Sequence, residues 1–335
     1  AGPVPVYPAQ QGWRREKEDA MSLFEILAKA LNISLINAAI RIATPILFAA
    51  LCASITQNAG ILLIGTEGIM LMGAFIAVAF GYLTGSWILG VLAAMLCGML
   101  VAGILAVGKI RYNASMPAIC TGMNMFALYF TRFLLQSVFH ISGTLADPRI
   151  PSIPVINFGF LPEGSVLATI FNGFCYTDWF AFIAVILLSF FLYKTPVGLR
   201  LRAVGYHPMA AETAGINVKR IQYFAILFAG AVGGLAGAHL SLGYSTMFVQ
   251  NMTNGRGFMG IAAMFFGNAT PSGAIIGSLI FGFFEALGNR MQPYGIPSAI
   301  MLALPYMIVL IVLVVSVIAR VKKEQREKSS LHAKR

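Results

Sequence analysis

Charged side chains are scarce in this sequence. Asp, Glu, Lys and Arg make up 10% of the 335 residues and hydrophobic residues make up 58%, whereas soluble domains carry roughly 25% charged residues. A soluble core of this length could not bury so much apolar surface. The apolar runs are continuous and lack the ten-residue alternation of a membrane β-barrel. The sequence therefore predicts an all-α polytopic membrane protein with spans of about 20 residues.

Motifs for catalysis and conduction are missing as well. The sequence has no GxxxxGK[ST] phosphate loop, no HExxH and no GxSxG, so we expect neither ATP binding of that kind nor a membrane enzyme. It also lacks an arginine-rich voltage-sensing helix and a TVGYG filter. Its four cysteines have no metal-ligand spacing. We therefore expect no metal site and no cofactor bound by this chain.

The net charge of +11 is concentrated in three places: residues 109–111, 194–220 and 320–335. Because these are junctions between spans, they follow the positive-inside pattern of cytoplasmic loops and are not a nucleic-acid surface. Residues 140–178 contain no lysine and one arginine against three acids. That composition predicts an extracytoplasmic segment.

The chain divides into three predicted regions. Residues 1–20 precede a plausible start at Met21 and are interpreted as an extension outside the fold. Residues 21–320 form the transmembrane domain, and residues 321–335 a basic cytoplasmic tail. We expect about ten spans with both termini cytoplasmic; if residues 22–41 lie on the membrane surface, nine spans and one re-entrant break remain. The predicted spans are residues 22–41, 43–59, 61–84, 86–108, 116–139, 179–193, 223–243, 257–269, 272–288 and 298–319.

The stretch "ILLIGTEGIMLMGAF" contains Glu67, which is the single charged residue between Arg41 and Lys109. An ionised side chain at the bilayer centre costs roughly 2.5–3.5 kcal/mol, and Gly65 and Gly68 flank it. Glu67 either lines a translocation route or braces a broken helix. The alternatives are that it hydrogen-bonds a neighbouring helix or lies near a membrane surface. We favour a structural or gating role over direct substrate contact.

Two glycine-interrupted apolar segments, "NAGILLIGTEGIML" and "NGRGFMGIAAMFFGN", occupy similar places in two weakly related halves of the chain. Paired broken segments of this kind point to a substrate path near the midplane. Irregular backbone at membrane depth is tolerated only where protein buries it or water lines it. The pair therefore predicts a substrate path near the broken segments.

The predicted span 116–139 carries a polar stripe. Thr121, Asn124, Arg132 and Gln136 fall within roughly a third of the helix circumference. Such a stripe suits an uncharged polar substrate. It equally suits hydrogen bonds between helices, with the Arg132 side chain extending to the outer membrane interface.

Glycine-rich helix packing is predicted in the second half. Gly230 and Gly234, and Gly233 and Gly237, form overlapping GxxxG pairs, which let helices approach closely. His239 at the end of that run is interpreted as a hydrogen-bonded packing residue.

The basic loop 194–221 contains a short predicted helix. Pro208 suits its first turn and Gly215 its C-terminal cap. About two turns of helix are not stable alone, so the helix needs a partner, and we expect Met209, Ala210 and Ala211 to offer it a small apolar face. The sequence predicts a cytoplasmic docking element here.

This loop, "GLRLRAVGYHPMAAETAGI", resembles the cytoplasmic coupling loop of ABC importer permeases of the type that handles ribose, nucleosides and branched-chain amino acids. "LLIGTEGIMLMGAF" and "GRGFMGIAAMFFGNATPSGAIIGSLIFG" are similar to the signatures of its two halves, although Leu63 stands where asparagine is common. "LALPYMIVLIVLV" resembles the final span of the nucleoside-type members. The resemblance covers roughly Ala43 to Val315.

The resemblance implies a permease subunit in the bacterial cytoplasmic membrane that works with a second permease, identical or related. It implies an extracytoplasmic binding lipoprotein and ATPase subunits that hydrolyse ATP with Mg. The helix from Pro208 to Ala214 would seat in the ATPase, and residues 140–178 would help to receive the binding protein. Under this reading the coupling residues are Pro208, Met209, Ala210, Ala211, Glu212 and Gly215, and the pathway residues are Glu67, Thr121, Asn124 and Phe258.

The substrate expected from the resemblance is a nucleoside, which is uncharged and planar. Ribose or another simple sugar, carried by the same machinery, is the alternative. An ion-coupled secondary transporter is a further alternative, for which Glu67 and Glu285 are the acids in the spans that could serve as the ion site.

Overall fold

A computed structural model describes residues 33–156, 169, 172–292, 307 and 314. The predicted extension 1–20, the basic tail 321–335 and all but two residues of the predicted span 298–319 lie outside the described residues.

Ten α-helices account for most of the described chain, and seven of them are long and apolar enough to cross a membrane. This confirms the prediction of an all-α polytopic membrane protein. The helices are α1 Ile33–Asn58, α2 Thr66–Thr84, α3 Trp87–Ile110, α4 Met116–Phe139, α5 Tyr176–Lys194, α6 Pro196–Tyr206, α7 Pro208–Thr213, α8 Val218–Ala238 (continued by a π-helical turn, His239–Tyr244), α9 Arg256–Phe266 and α10 Pro271–Met291.

The separate spans predicted at 22–41 and 43–59 are wrong where the structure describes them, because α1 runs unbroken through Arg41 and Pro45. Tertiary contacts explain the continuity. The Arg41 guanidinium lies 5.8 Å from the centre of the Tyr244 ring, and the Thr44 hydroxyl donates to Asp178 at 2.7 Å. Charge and polarity therefore lie inside one helix, and the boundary predicted between residues 41 and 43 is wrong. Residues 22–32 of the predicted first span lie outside the described residues.

The predicted segment 257–269 is helix α9, which has only 11 residues. At 1.5 Å per residue it covers about 16 Å, roughly half of the hydrocarbon core of a bilayer. It is a half-helix preceded by irregular backbone. Helix α10, by contrast, is a candidate span of 21 residues.

Close helix packing at glycine, predicted for α8, is confirmed. A methyl group on Gly230 or Gly234 would overlap backbone of α3, and one on Gly237 would overlap backbone of α2. Helix α8 therefore packs with its backbone directly against α2 and α3, which fixes it at the centre of the described core.

His239 is a packing residue, as predicted. It is buried, and its Nδ1 atom lies 2.7 Å from the Thr177 hydroxyl. Its Nε2 atom lies 3.6 Å from a carboxylate oxygen of Asp178, whose other oxygen accepts the Cys175 backbone N–H at 2.8 Å. The group ties α1, α5 and the π-helical turn together.

The described parts of the segment 140–178 form two short antiparallel pairs. Strand β1, Thr144–Leu145, pairs with β4, Phe248–Val249, and β2, Val155–Ile156, pairs with β3, Phe174–Cys175. Within this segment, two hydrogen bonds from the Arg149 guanidinium to the Asp147 carboxylate hold the pKa of that carboxyl below its usual range. The pairing of β1 with β4, and a hydrogen bond from the Ile153 N–H to the Leu242 carbonyl, place the described parts of the segment next to the end of α8 and its π-helical turn.

Candidate functional site: two broken helices beside a cleft

The chain between α1 and α2 is not helical, and side chains satisfy its backbone. The Asn124 amide nitrogen donates to the Ile64 carbonyl at 3.2 Å, and the Asn124 amide oxygen accepts the Gly68 N–H at 2.9 Å. The Thr66 hydroxyl donates to the Leu63 carbonyl at 2.9 Å. Backbone groups at membrane depth need such partners because no water is at hand. Asn124 therefore braces the break from the neighbouring helix α4.

Glu67 joins this break to the second one. Its two carboxylate oxygens accept the backbone N–H groups of Gly255 at 2.8 Å and Gly257 at 2.7 Å. Both donors lie at the N-terminus of α9, where free N–H groups and the helix dipole favour an anion. Glu67 is buried, with 8% of its surface exposed. The Glu67 carboxylate, in the first turn of α2, therefore caps the N-terminus of α9.

Gly257 permits this contact. A methyl group at its Cα would lie 2.6 Å from both the Cα and a carboxylate oxygen of Glu67. Any larger residue would push α9 away from α2. The two segments whose likeness suggested a pair are thus in direct contact at Glu67 and Gly257.

An ion pair next to this junction was missed by the sequence reasoning. Arg256 in the first turn of α9 pairs with Glu285 of α10, and it also donates to the Met252 carbonyl at 3.0 Å. A signal was available, because these are the only charged residues between Arg220 and Arg290. The pair offsets the cost of both charges and attaches α9 to α10.

A cleft of about 440 Å³ opens beside the junction, which is within the size range of small-molecule sites. The four residues predicted for the pathway lie together in its wall. Its lining combines amides, a hydroxyl, an aromatic ring and apolar side chains, and its one carboxylate is already bonded on both oxygens. The lining residues are Glu67, Gly68, Leu71, Thr121, Asn124, Met125, Leu128, Asn251, Asn254, Gly255 and Phe258.

The polar groups of the cleft differ in what they can offer a ligand. Thr121 donates its hydroxyl to the Pro117 carbonyl at 2.8 Å, which leaves its oxygen as an acceptor. Both polar atoms of the Asn124 amide are already hydrogen-bonded to the backbone at the break between α1 and α2. Phe258 has 45% of its surface exposed and presents an open ring face or edge. The cleft is therefore suited to an uncharged molecule with both polar edges and an apolar body.

The predicted cytoplasmic helix is α7. The His207 side chain caps its start by accepting the Ala210 N–H at 3.4 Å. Gly215, at φ +81°, ends it in a Schellman motif, with bonds from Gly215 to the Glu212 carbonyl and from Ile216 to the Ala211 carbonyl.

The exposed face of α7 departs from the prediction at one residue. Met209 is 75% exposed, as predicted for a docking face. Ala211 is only 5% exposed, because it lies on the side of α7 that packs against α6 and α8. Tyr206, the last residue of α6, is 87% exposed and adds an aromatic side chain to this surface. Helix α6 itself was predicted only as loop.

A direct contact connects α6 to the first break. A methyl group on Gly205 would overlap the Asn58 carbonyl at the end of α1, and Gly60, at φ +77°, starts the break. The Asn58 amide also donates to the Ala269 carbonyl, after α9, at 2.8 Å. Helix α6 therefore lies against the end of α1 at the first break, and Asn58 connects this point to the chain after α9.

Comparison with known proteins identifies relatives along nearly the whole chain. The profile of the family described as branched-chain amino acid transport system / permease component matches residues 35–317. The guanosine ABC transporter permease protein NupQ of Bacillus subtilis is 33% identical over 87% of this chain and 92% of its own length. The nucleoside ABC transporter permease protein NupC of Lactococcus lactis is 34% identical over 80% and 87%.

A relative named for a different substrate is also similar. The putative glucose ABC transporter permease protein TsgC13 of Haloferax volcanii is 33% identical over 77% of this chain and 78% of its own length. No solved structure matches the chain.

Proposed function

This chain belongs to the family of permease components of branched-chain amino acid transport systems, and we propose that it forms half of the path by which an ABC importer carries nucleosides across the cytoplasmic membrane. The observation that carries the proposal is the cleft beside the Glu67 junction. Its lining has polar edges, an exposed ring and no free charge, which suits a nucleoside. Two of the relatives are guanosine or nucleoside permeases by name.

A second permease completes the path. Among the candidate spans of the described chain, α4 is the least apolar in composition and also the least buried, with 22% of its most apolar window buried. Arg132 on its exposed stripe makes no ion pair or hydrogen bond within the described residues. A charged stripe facing lipid would be costly. A second permease, identical or related, is therefore the surface that covers α4 and closes the cleft.

ATP hydrolysis with Mg takes place on separate ATPase subunits, and this chain binds no cofactor of its own. The exposed surface of Tyr206, Met209 and Glu212 docks the ATPase from the cytoplasm. Because α6 contacts the backbone at Asn58, a shift of this surface reaches both breaks. An extracytoplasmic binding lipoprotein delivers the substrate over the segment 140–178, opposite the basic loops.

The ion-coupled alternative is less well supported. Both oxygens of Glu67 accept backbone N–H groups, and Glu285 is paired with Arg256. Each of the two acids that this alternative requires therefore already has a partner within the described residues. A sugar remains the runner-up substrate, because one relative is named for glucose.

The substrate test uses the assembled transporter, with its ATPase, second permease and binding protein, in proteoliposomes. We expect ATP-dependent uptake of guanosine or another nucleoside, and no uptake with a hydrolysis-deficient ATPase. Phe258→Ala should lower nucleoside uptake severalfold, because stacking on an aromatic ring stabilises a base by about 1–3 kcal/mol. Phe265→Ala is the matched control, since Phe265 lies on the same helix, is 42% exposed and does not line the cleft.

Three results would contradict the proposal. Uptake of glucose or ribose without nucleoside uptake would assign the substrate to the sugars. Uptake driven by a proton or sodium gradient without ATP would remove the ABC mechanism. An equal loss of uptake in Phe258→Ala and Phe265→Ala would show that the cleft is not part of the transport path.

A further inference from the structure

A basic cavity of about 420 Å³ lies where the chain leaves α7 and enters α8. Arg200 of α6 and Arg220 of α8 line it, together with backbone around Gly215 and the helix-capping Asn217. Within the described residues neither guanidinium has an ion pair or a side-chain hydrogen bond. Two unpaired guanidiniums on separate helices form a cavity suited to an anion with several oxygens.

An apolar groove of about 520 Å³ lies between α3 and α8. Leu100 and Ile104, 71% and 62% exposed, form one wall, and Tyr223 and Leu227 form the other. Helix α3 is the most apolar of the candidate spans in the described chain, so this surface faces lipid. Gly103 at the bottom of the groove leaves room, since a methyl group there would lie 3.4 Å from the Leu227 side chain.

The basic cavity and the apolar groove follow one another along α8. Arg220, Tyr223 and Leu227 are spaced by three and four residues and share one face of the helix. From Arg220 to Leu227 the helix rises about 10 Å. This is the order, charged end first and apolar groove next, in which a phospholipid of the cytoplasmic leaflet presents its phosphate and its acyl chain.

We propose that this surface is a specific binding site for an anionic phospholipid, with the headgroup phosphate between Arg200 and Arg220 and an acyl chain in the α3–α8 groove. Anionic lipids are attracted to basic residues at the cytoplasmic surface, and basic pockets between membrane helices bind their headgroups. An acidic side chain of the ATPase could pair with the arginines, but it would leave the groove at membrane depth empty. The apolar groove on the same face of α8 as Arg220 favours the lipid.

The test uses the assembled transporter, extracted in mild detergent and reincorporated in nanodiscs of phosphatidylcholine with a minor fraction of phosphatidylglycerol. Phospholipid retained by the complex after a second detergent exchange is measured by mass spectrometry. We expect enrichment of phosphatidylglycerol in the native complex. Arg200→Gln and Arg220→Gln should each lower its retention about fivefold, and Gly103→Leu, which fills the groove, should lower it as well.

Arg111→Gln is the matched control, because Arg111 is an exposed basic residue at the cytoplasmic end of α3 that does not line the cavity. Retention equal to that of the native complex in the two cavity variants would overturn the proposal. Displacement of the bound anion by inorganic phosphate, with no effect of Gly103→Leu, would show a free-phosphate site. Loss of the ATPase from the cavity variants, with lipid retention unchanged, would assign the arginines to the ATPase.

The measurement needs no substrate. A failure of nucleoside uptake therefore leaves the lipid result intact, and a failure of lipid retention leaves the transport proposal intact.

Discussion

Replacing Glu67 by glutamine is the most informative single change to the junction between the two broken helices. The side chain keeps its size and shape. It loses its charge, and one of its two acceptor oxygens becomes an NH₂ group that faces a backbone N–H of α9. We expect Glu67→Gln to destabilise the protein and to lower transport as a consequence.

The expected loss follows from the two bonds to Gly255 and Gly257. Each hydrogen bond to a charged group contributes about 1.5–3 kcal/mol, and a neutral one about 0.5–1.5 kcal/mol. Glutamine gives up two bonds of the first kind and keeps one of the second. The net loss is roughly 2–5 kcal/mol, to which the lost interaction with the N-terminal dipole of α9 adds about 0.3–1 kcal/mol.

Thermal unfolding in detergent can be followed with a thiol-reactive fluorescent dye, because all four cysteines are free and none of them is exposed in the fold. We expect Glu67→Gln to lower the midpoint by about 4 °C or more. Glu212→Gln is the control for removal of an acid, since Glu212 lies exposed on α7; its midpoint should match that of the native protein.

A normal midpoint for Glu67→Gln together with lost uptake would refute the bracing role. That combination would assign Glu67 to substrate contact or to proton transfer. Uptake by Glu67→Gln at the native rate, with a normal midpoint, would show that the junction does not depend on the carboxylate at all.

Three further predictions follow from the same contacts. Gly257→Ala should disrupt the junction and lower the unfolding midpoint, because its methyl group would overlap Glu67, whereas Gly122→Ala, with nothing within 4 Å, should leave the midpoint unchanged; equal midpoints would contradict the close approach. Asn124→Leu should cost about 1–3 kcal/mol for each backbone group left unpaired, which a chemical unfolding curve measures; an unchanged curve would remove Asn124 from the break. Met209→Asp should reduce co-purification of the ATPase severalfold without changing the permease's midpoint, and undiminished co-purification would place the docking surface elsewhere.

Much of the fold could be predicted from composition and periodicity. The predicted α7 begins at Pro208, as in the structure, because proline and glycine act on the chain locally. The first spans could not be separated correctly, because whether a charge at Arg41 ends a helix depends on whether another element covers it. Ala211 was assigned to an exposed face for a similar reason: its side chain is apolar, and only the packing of α7 on α6 and α8 decides which way it turns.

The sequence by itself determined that this is a membrane protein, that Glu67 is a lone acid between glycines in an apolar run, and that a short helix with capping residues lies in a basic loop. These conclusions rest on hydrophobicity and on local backbone preferences, which depend only on each residue and its neighbours in the chain. Only the tertiary structure decided that the Glu67 carboxylate binds the amides of Gly255 and Gly257. These groups lie about 190 residues apart, and the preference of a carboxylate for a free helix N-terminus does not say which helix start it will meet.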